Sequence, residues 1–191
     1  MNSYFPIGLR FDDKRVLLVG GGDISLFKFQ KLVQFNPLLI KCVSRKFHSD
    51  FYQKYDVAIE IIQKDFDFRD LEEMDIVIVA IDDASLQKRI YEECKEKKLL
   101  CNCVDLLECC DFIFPSLVKR GHISIAINSN GLLPGLSAVL RKYIDDVLPE
   151  NLDEVFSSLL TLRKSLPPGP KRMQLIRESA EKYFDDIRSR L

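Results

Sequence analysis

The sequence predicts an α/β protein built on a parallel sheet. Short apolar runs recur along the first half of the chain, segments with helical spacing separate them, and the first run leads directly into Gly20-Gly21-Gly22. Strands that alternate with helices form parallel sheets, because each crossover needs an element to carry the chain back.

The first strand, Arg15–Val19, is nearly continuous in apolar residues, as suits a strand buried on both faces. Ile24, Phe27, Leu32 and Phe35 then recur at helical intervals, which predicts a helix with those residues inward. Asn36-Pro37 ends it, since proline disfavours the α region in the residue before it. Residues 38–43 form a second strand, 47–54 a helix, 58–63 a third strand and 76–80 a fourth. Residues 85–97 read as a helix with Leu86, Ile90 and Cys94 inward, and 99–104 as a fifth strand. The rhythm changes near residue 112. Leu117-Val118 and Ile123–Ile127 are expected to pair as a hairpin around Arg120-Gly121. Pro134 suits the first turn of a helix reaching Val147. Helices over 151–163 and 171–190 follow, separated by the stiff segment Leu166-Pro167-Pro168-Gly169-Pro170. The expected division is 1–112, 113–150 and 151–191.

Composition narrows the class. The chain has 191 residues, 47% apolar and 30% charged, with 28 Lys plus Arg against 29 Asp plus Glu and a net charge of −1. A nucleic-acid binder would carry a basic excess, and a disordered acidic chain a large negative one. No run approaches the roughly 18 apolar residues that span a bilayer. The start, MNSYFPIGLRFDDK, lacks a basic segment followed by an apolar stretch, so no signal peptide is read. The six cysteines then read as cytosolic thiols, and the expected location is cytoplasmic.

The chemistry begins at Gly20-x-Gly22-x-x-Ser25. Gly20 permits a tight turn, Gly22 lets a pyrophosphate approach the backbone, and the small Ser25 lets the helix pack close to the strand. Asp23 and Ile24 open that helix, whose free N–H groups and positive dipole end suit a phosphate. The pattern is that of a Rossmann-type dinucleotide site. The second strand ends in Val43-Ser44-Arg45-Lys46, without the acid that usually holds the ribose of NAD. Ser44 can bond a ribose hydroxyl, and Arg45 suits stacking on adenine or a 2′-phosphate, so NAD and NADP both remain open. The backbone from Ala80 to Asp82 lies at the ligand edge, and Asp83 suits the cap of the next helix.

Phe5-Pro6-Ile7, the segment 19–25 with Lys28, Val79-Ala80-Ile81-Asp82-Asp83, Asn102-Cys103-Val104-Asp105, Asp111-Phe112-Ile113-Phe114-Pro115-Ser116 and Ser129-Asn130-Gly131 with Pro134 follow one another in a known order. In these stretches the chain resembles the siroheme-synthase dehydrogenase family: precorrin-2 dehydrogenases, some of them also sirohydrochlorin ferrochelatases. The family usually has Gly-Gly where this chain has Asn130-Gly131, a small polar pair at Leu132-Leu133, and Arg at Phe27.

The resemblance implies oxidation of precorrin-2 to sirohydrochlorin with NAD as hydride acceptor, with Fe²⁺ insertion as a second activity in some members, and a homodimer. It implies that Asp105, just past the fifth strand, is the catalytic base, with Asn102 fixing cofactor or substrate. A macrocycle ringed with carboxylates needs clustered cations. Lys28, Arg120 and Arg141 are the main candidates, with Lys119 and Lys142 beside them, and Ser129 with the following helix start can receive one carboxylate. Cys101, Cys103 and Asp105 alternate on one strand face, but without paired CxxC spacing they are not read as a metal site. His48 and His122 are too scattered for one. The ~40 residues of the 113–150 region are too few for an independent core and are expected to pack on a second copy. The rival reading is a non-catalytic NAD(H)-sensing module.

Overall fold

The computed structural model describes residues 4–188. The chain divides into two compact units, one ending at Phe114 and the other starting at Pro115.

In the first unit, β1 (Arg15–Val19), β2 (Leu39–Ser44), β3 (Ile59–Gln63), β4 (Ile76–Val79) and β5 (Leu100–Cys103) form one sheet in the order β3-β2-β1-β4-β5. All four pairings are parallel. The order reverses between β1 and β4, which opens a crevice at the carboxyl ends of those strands. The α/β Rossmann-type fold expected above is the fold observed.

Alternate side chains of each strand point to opposite faces. Leu17, Val19, Val43, Val77, Val79 and Cys101 form one core cluster with Ile90 and Cys94 of α2 (Ala84–Lys97). Val16, Leu18, Ile40, Cys42, Ile76 and Ile78 form the other with Leu26, Phe29 and Leu32 of α1 (Asp23–Leu32). Both faces are covered, which is why the strands lack polar alternation.

Two expected elements differ. The inward face of α1 is Ser25, Leu26, Phe29 and Leu32, whereas Ile24 and Phe27 are about half exposed. Residues 47–54 are no helix but a single 3₁₀ turn, Ser49–Tyr52. Its one buried residue, Phe51, packs on Phe29 with ring centroids 4.9 Å apart. Burying each such ring stabilises by about 1.5–3 kcal/mol, so one residue suffices to fix the turn.

Past β5 the chain folds back along the sheet edge. Asn102 and Cys110 form an isolated antiparallel bridge. The Asp111 amide donates to the Cys101 carbonyl at 2.8 Å, and the Asp111 carboxylate accepts from the Cys101 amide and from Lys95.

The second unit holds the expected hairpin, β6 (Ser116–Arg120) and β7 (Ile123–Ile127), then α3 (Pro134–Val147), α4 (Leu152–Ser165) and α5 (Pro170–Arg188). Its fully buried residues among those described are only Val118, Ser137 and Leu152. Among the described residues no helix is long and apolar enough to cross a membrane.

Candidate active site

The turn after β1 is shaped by what surrounds it. Gly20 has φ 121°, and a Cβ there would overlap the carbonyl oxygen of Ala80 at the end of β4. Gly21 has no room either, because a Cβ would meet the Lys46 carbonyl. Ser25 is buried and donates its hydroxyl to the Gly20 carbonyl at 2.7 Å, tying helix to turn. Gly22 differs from the other two: nothing lies within 4 Å of the Cβ it lacks. It occupies the N-cap of α1, and no side chain caps that helix start. Open space over a bare helix start is what a pyrophosphate needs.

That space belongs to a cavity of about 730 Å³ at the carboxyl edge of the sheet. Gly20, Gly22, Asp23, Ile24, Ser44, Arg45, Ala80, Asp82 and Asp105 all line it, so the structure brings most of the expected residues together. Asp83 also lines it and caps α2, accepting from the Leu86 amide at 2.9 Å. The Ser44 hydroxyl donates to the Lys46 carbonyl at 2.9 Å and so steadies the bend after β2. Lys64, Asp65 and Phe66, which follow β3, complete the same wall. Sequence reading missed them because only the β2–β3 register places them there.

Asp105 is exposed in the cavity wall, with φ 64°. Asparagine and aspartate tolerate this left-handed region better than other non-glycine residues. Asn102 lies below the lining. Its amide nitrogen donates to the Phe112 carbonyl at 2.9 Å, which fixes the return segment. Asn102 and Asp105 therefore do separate jobs: one holds the loop, the other presents a carboxylate.

Lys28 is half-buried on α1, with its ammonium 4.0 Å from the Phe114 ring centroid. Burial, helped by Lys31, lowers its pKa to about 8, while Cys110 and Asp105 partly offset that shift. The unfolded chain binds more protons than the folded one between pH 8 and the ordinary lysine value near 10.5, so stability attributable to this group rises over that window. Lys28→Met is expected to stabilise the protein by about 1 kcal/mol at pH 7, a gain that fades between pH 8 and 10.5. Urea denaturation at pH 7 and 10 checks this.

The other expected substrate contacts lie in the second unit. Arg120 and Arg141 converge on Asp145, at 2.5 and 3.5 Å, so the two guanidinium groups share one carboxylate. The Ser129 hydroxyl accepts from the Leu133 amide at 3.0 Å and contacts the Ser137 hydroxyl at 3.2 Å, fixing the start of α3.

The cysteines are all free thiols, and five are buried. Cys101 and Cys103 touch at 3.8 Å inside the core. Hydrogen bonding with Cys103 and Cys94, then burial, pushes the Cys101 thiol up. Burial pushes Cys110 up to about 11. Thiols held protonated are poor metal ligands. Among the described residues no group of His, Cys, Asp or Glu is placed to hold a metal ion.

A strand, a glycine turn and an uncapped helix start opening on one cavity at a topological switch point define a dinucleotide-binding protein. The chain belongs to the family described as "Putative NAD(P)-binding", whose model matches residues 7–116. It is 31% identical over 184 residues to siroheme synthase 2 of Pectobacterium atrosepticum, covering 95% of this chain and 40% of that one. It is 34% identical over 183 residues to a siroheme synthase of Actinobacillus pleuropneumoniae serotype 3, covering 95% of this chain and 37% of the relative. The chain thus spans about 40% of the length of these curated relatives. A solved structure named SirC, precorrin-2 dehydrogenase, superposes with a TM-score of 0.74 at 20% identity, over 92% of this chain and 88% of that one. That likeness is one of fold.

Proposed function

We propose that the chain is an oxidoreductase that converts precorrin-2 to sirohydrochlorin with NAD as hydride acceptor. The observation that carries this reading is that Asp105 and the glycine cradle open on one cavity. The similarity to siroheme synthases over nearly the whole chain supports the substrate class.

The oxidation removes a hydride from one macrocycle carbon and a proton from another position. Bound NAD supplies the hydride acceptor. The chain's own part is to seat the pyrophosphate on Gly22 and the α1 start, and to take the proton on a carboxylate oxygen of Asp105. Lys28, Ser129, Arg120 and Arg141 are proposed to meet substrate carboxylates. The arginine pair on Asp145 retains one net positive charge for that purpose. Asp105 is also suited to accept the pyrrole protons displaced when Fe²⁺ enters the product, a second activity on the same base. Its six free thiols suit a reducing compartment, which we take to be the cytoplasm.

The test is incubation with precorrin-2 and NAD, with and without Fe²⁺. NADH formation together with the sirohydrochlorin spectrum is expected. Tight NADH binding without turnover would replace this reading with that of a nucleotide sensor.

We also propose a homodimer through α3. Leu133, Leu136, Leu140, Tyr143 and Val147 are exposed and recur at alternating steps of three and four, the spacing of a helix-pairing seam. Among its described residues the second unit buries only Val118, Ser137 and Leu152, which leaves this seam uncovered by the unit itself. A dimeric mass at micromolar concentration is expected, with Leu136→Glu shifting it to the monomer. A monomeric wild type would count against the seam.

A further inference from the structure

The ribose end of the cavity departs from the usual arrangement. In most NAD sites the acid that holds the ribose stands at the end of the second strand. Here β2 ends at Ser44, and the next side chain is Arg45. β3 runs parallel to β2 with Gln63 opposite Ser44, and the Lys64 amide still donates to the Ser44 carbonyl at 3.0 Å. The residue after that is Asp65. It lines the cavity, and one of its carboxylate oxygens stands 3.4 Å from Nε of Arg45, which lines the cavity too. Register therefore delivers a carboxylate to the ribose end from the neighbouring strand.

Asp23, Asp82 and Asp83 also line the cavity, and the Asp83 carboxylate is engaged in capping α2. The Lys64 ammonium lies 2.8 Å from Asp70, a buried carboxylate that also holds Lys41 at 3.0 Å. Lys64 is thereby drawn toward Asp70. Arg45 and Asp65 are both largely exposed, so their pairing is weak and easily rearranged by a ligand.

The geometry points to Asp65 as the residue that sets dinucleotide specificity, accepting from the ribose hydroxyls of NAD and opposing the 2′-phosphate of NADP while it engages Arg45. This rests on the dinucleotide-binding reading above and names its cofactor. Arginine is the residue that accommodates a 2′-phosphate in such sites. Arg45 is present for that role, but a carboxylate beside it repels the incoming phosphate. At a few ångströms near a protein surface that repulsion is worth roughly tenfold or more in affinity. Removing the Asp65 charge leaves Arg45 without its carboxylate partner, and the balance at the site is reversed.

The test is direct binding, read from the fluorescence of NADH and NADPH, and needs no turnover. Wild type is expected to bind NADH at least tenfold more tightly than NADPH. Asp65→Asn is expected to tighten NADPH roughly tenfold and to weaken NADH. Adding Arg45→Ala to that variant is expected to abolish the NADPH gain. Both side chains are exposed, so neither change threatens folding. An unchanged NADH-to-NADPH ratio in Asp65→Asn, or a wild type that prefers NADPH, overturns the inference while leaving a dinucleotide site intact. A wild type that binds neither dinucleotide overturns the underlying reading and this inference with it.

Discussion

Asp105→Asn is expected to fold, to bind NADH as tightly as wild type, and to lose about 10²–10⁴-fold of its dehydrogenation rate. Asparagine is the informative replacement because of the backbone. At φ 64° an alanine adds a strain of about 1–2 kcal/mol, whereas asparagine occupies this region readily. Asparagine also keeps the volume and hydrogen-bonding reach of the side chain, so the change removes one property, the ability to take a proton. The expected pattern is a collapse of turnover at saturating NAD with the nucleotide affinity untouched. Wild-type turnover in Asp105→Asn would remove Asp105 from the mechanism. A loss of NADH binding would instead recast it as a cofactor-holding residue.

The second large effect separates two neighbouring glycines. Gly20→Ala is expected to cost about 3 kcal/mol or more, or to yield no soluble protein, because two penalties coincide. Its φ of 121° is hostile to any side chain, and the added methyl would overlap the Ala80 carbonyl. Relief would require β1 to move from β4, and those strands are hydrogen-bonded from Val16 to Val19. Gly22→Ala meets neither penalty. Its φ is −84° and its methyl enters open space, so the loss is limited to that of a favourable N-cap residue, about 1 kcal/mol or less. That open space is where the pyrophosphate is proposed to lie, and NADH affinity should fall by roughly tenfold or more. Thermal unfolding and NADH titration of the two variants measure both halves. Normal NADH affinity in Gly22→Ala would show that the cradle is not used.

What was legible in the sequence follows from how local each determinant is. β1 and β4 are buried on both faces, so their apolar runs mark them unaided. The start of α3 was marked by Pro134, and the hairpin by two apolar runs around Gly121. The face of α1 was misread because aromatic and aliphatic side chains were given more weight than packing distance. The helix approaches the glycine turn so closely that Ser25 is what fits inside, while Phe27 stays outside beneath the Lys31 ammonium. The cradle and Asp105 were legible because each sits directly after a strand. Asp65 was not. It reaches the site only through the pairing of β3 with β2, a long-range fact that no local pattern carries. Arg141 and Asp145 are an i,i+4 pair on α3, a local pattern, but the contact of Arg120 with the same Asp145 joins β6 to α3 and was hidden for the same reason.

The short return of the chain along β5 has a consequence for aggregation. A sheet edge with unpaired amides and carbonyls is a template for strands from other molecules. Here the stub around Cys110 and Asp111 occupies the Cys101 and Asn102 positions of that edge. On the opposite margin β3 carries Glu60 and runs out into Lys64 and Asp65, charges that discourage a flat neighbour. The sheet is thus guarded on both sides against cross-β recruitment, by main-chain satisfaction on one and by charge on the other. Edge-to-edge pairing of these strands with those of another copy is thereby disfavoured.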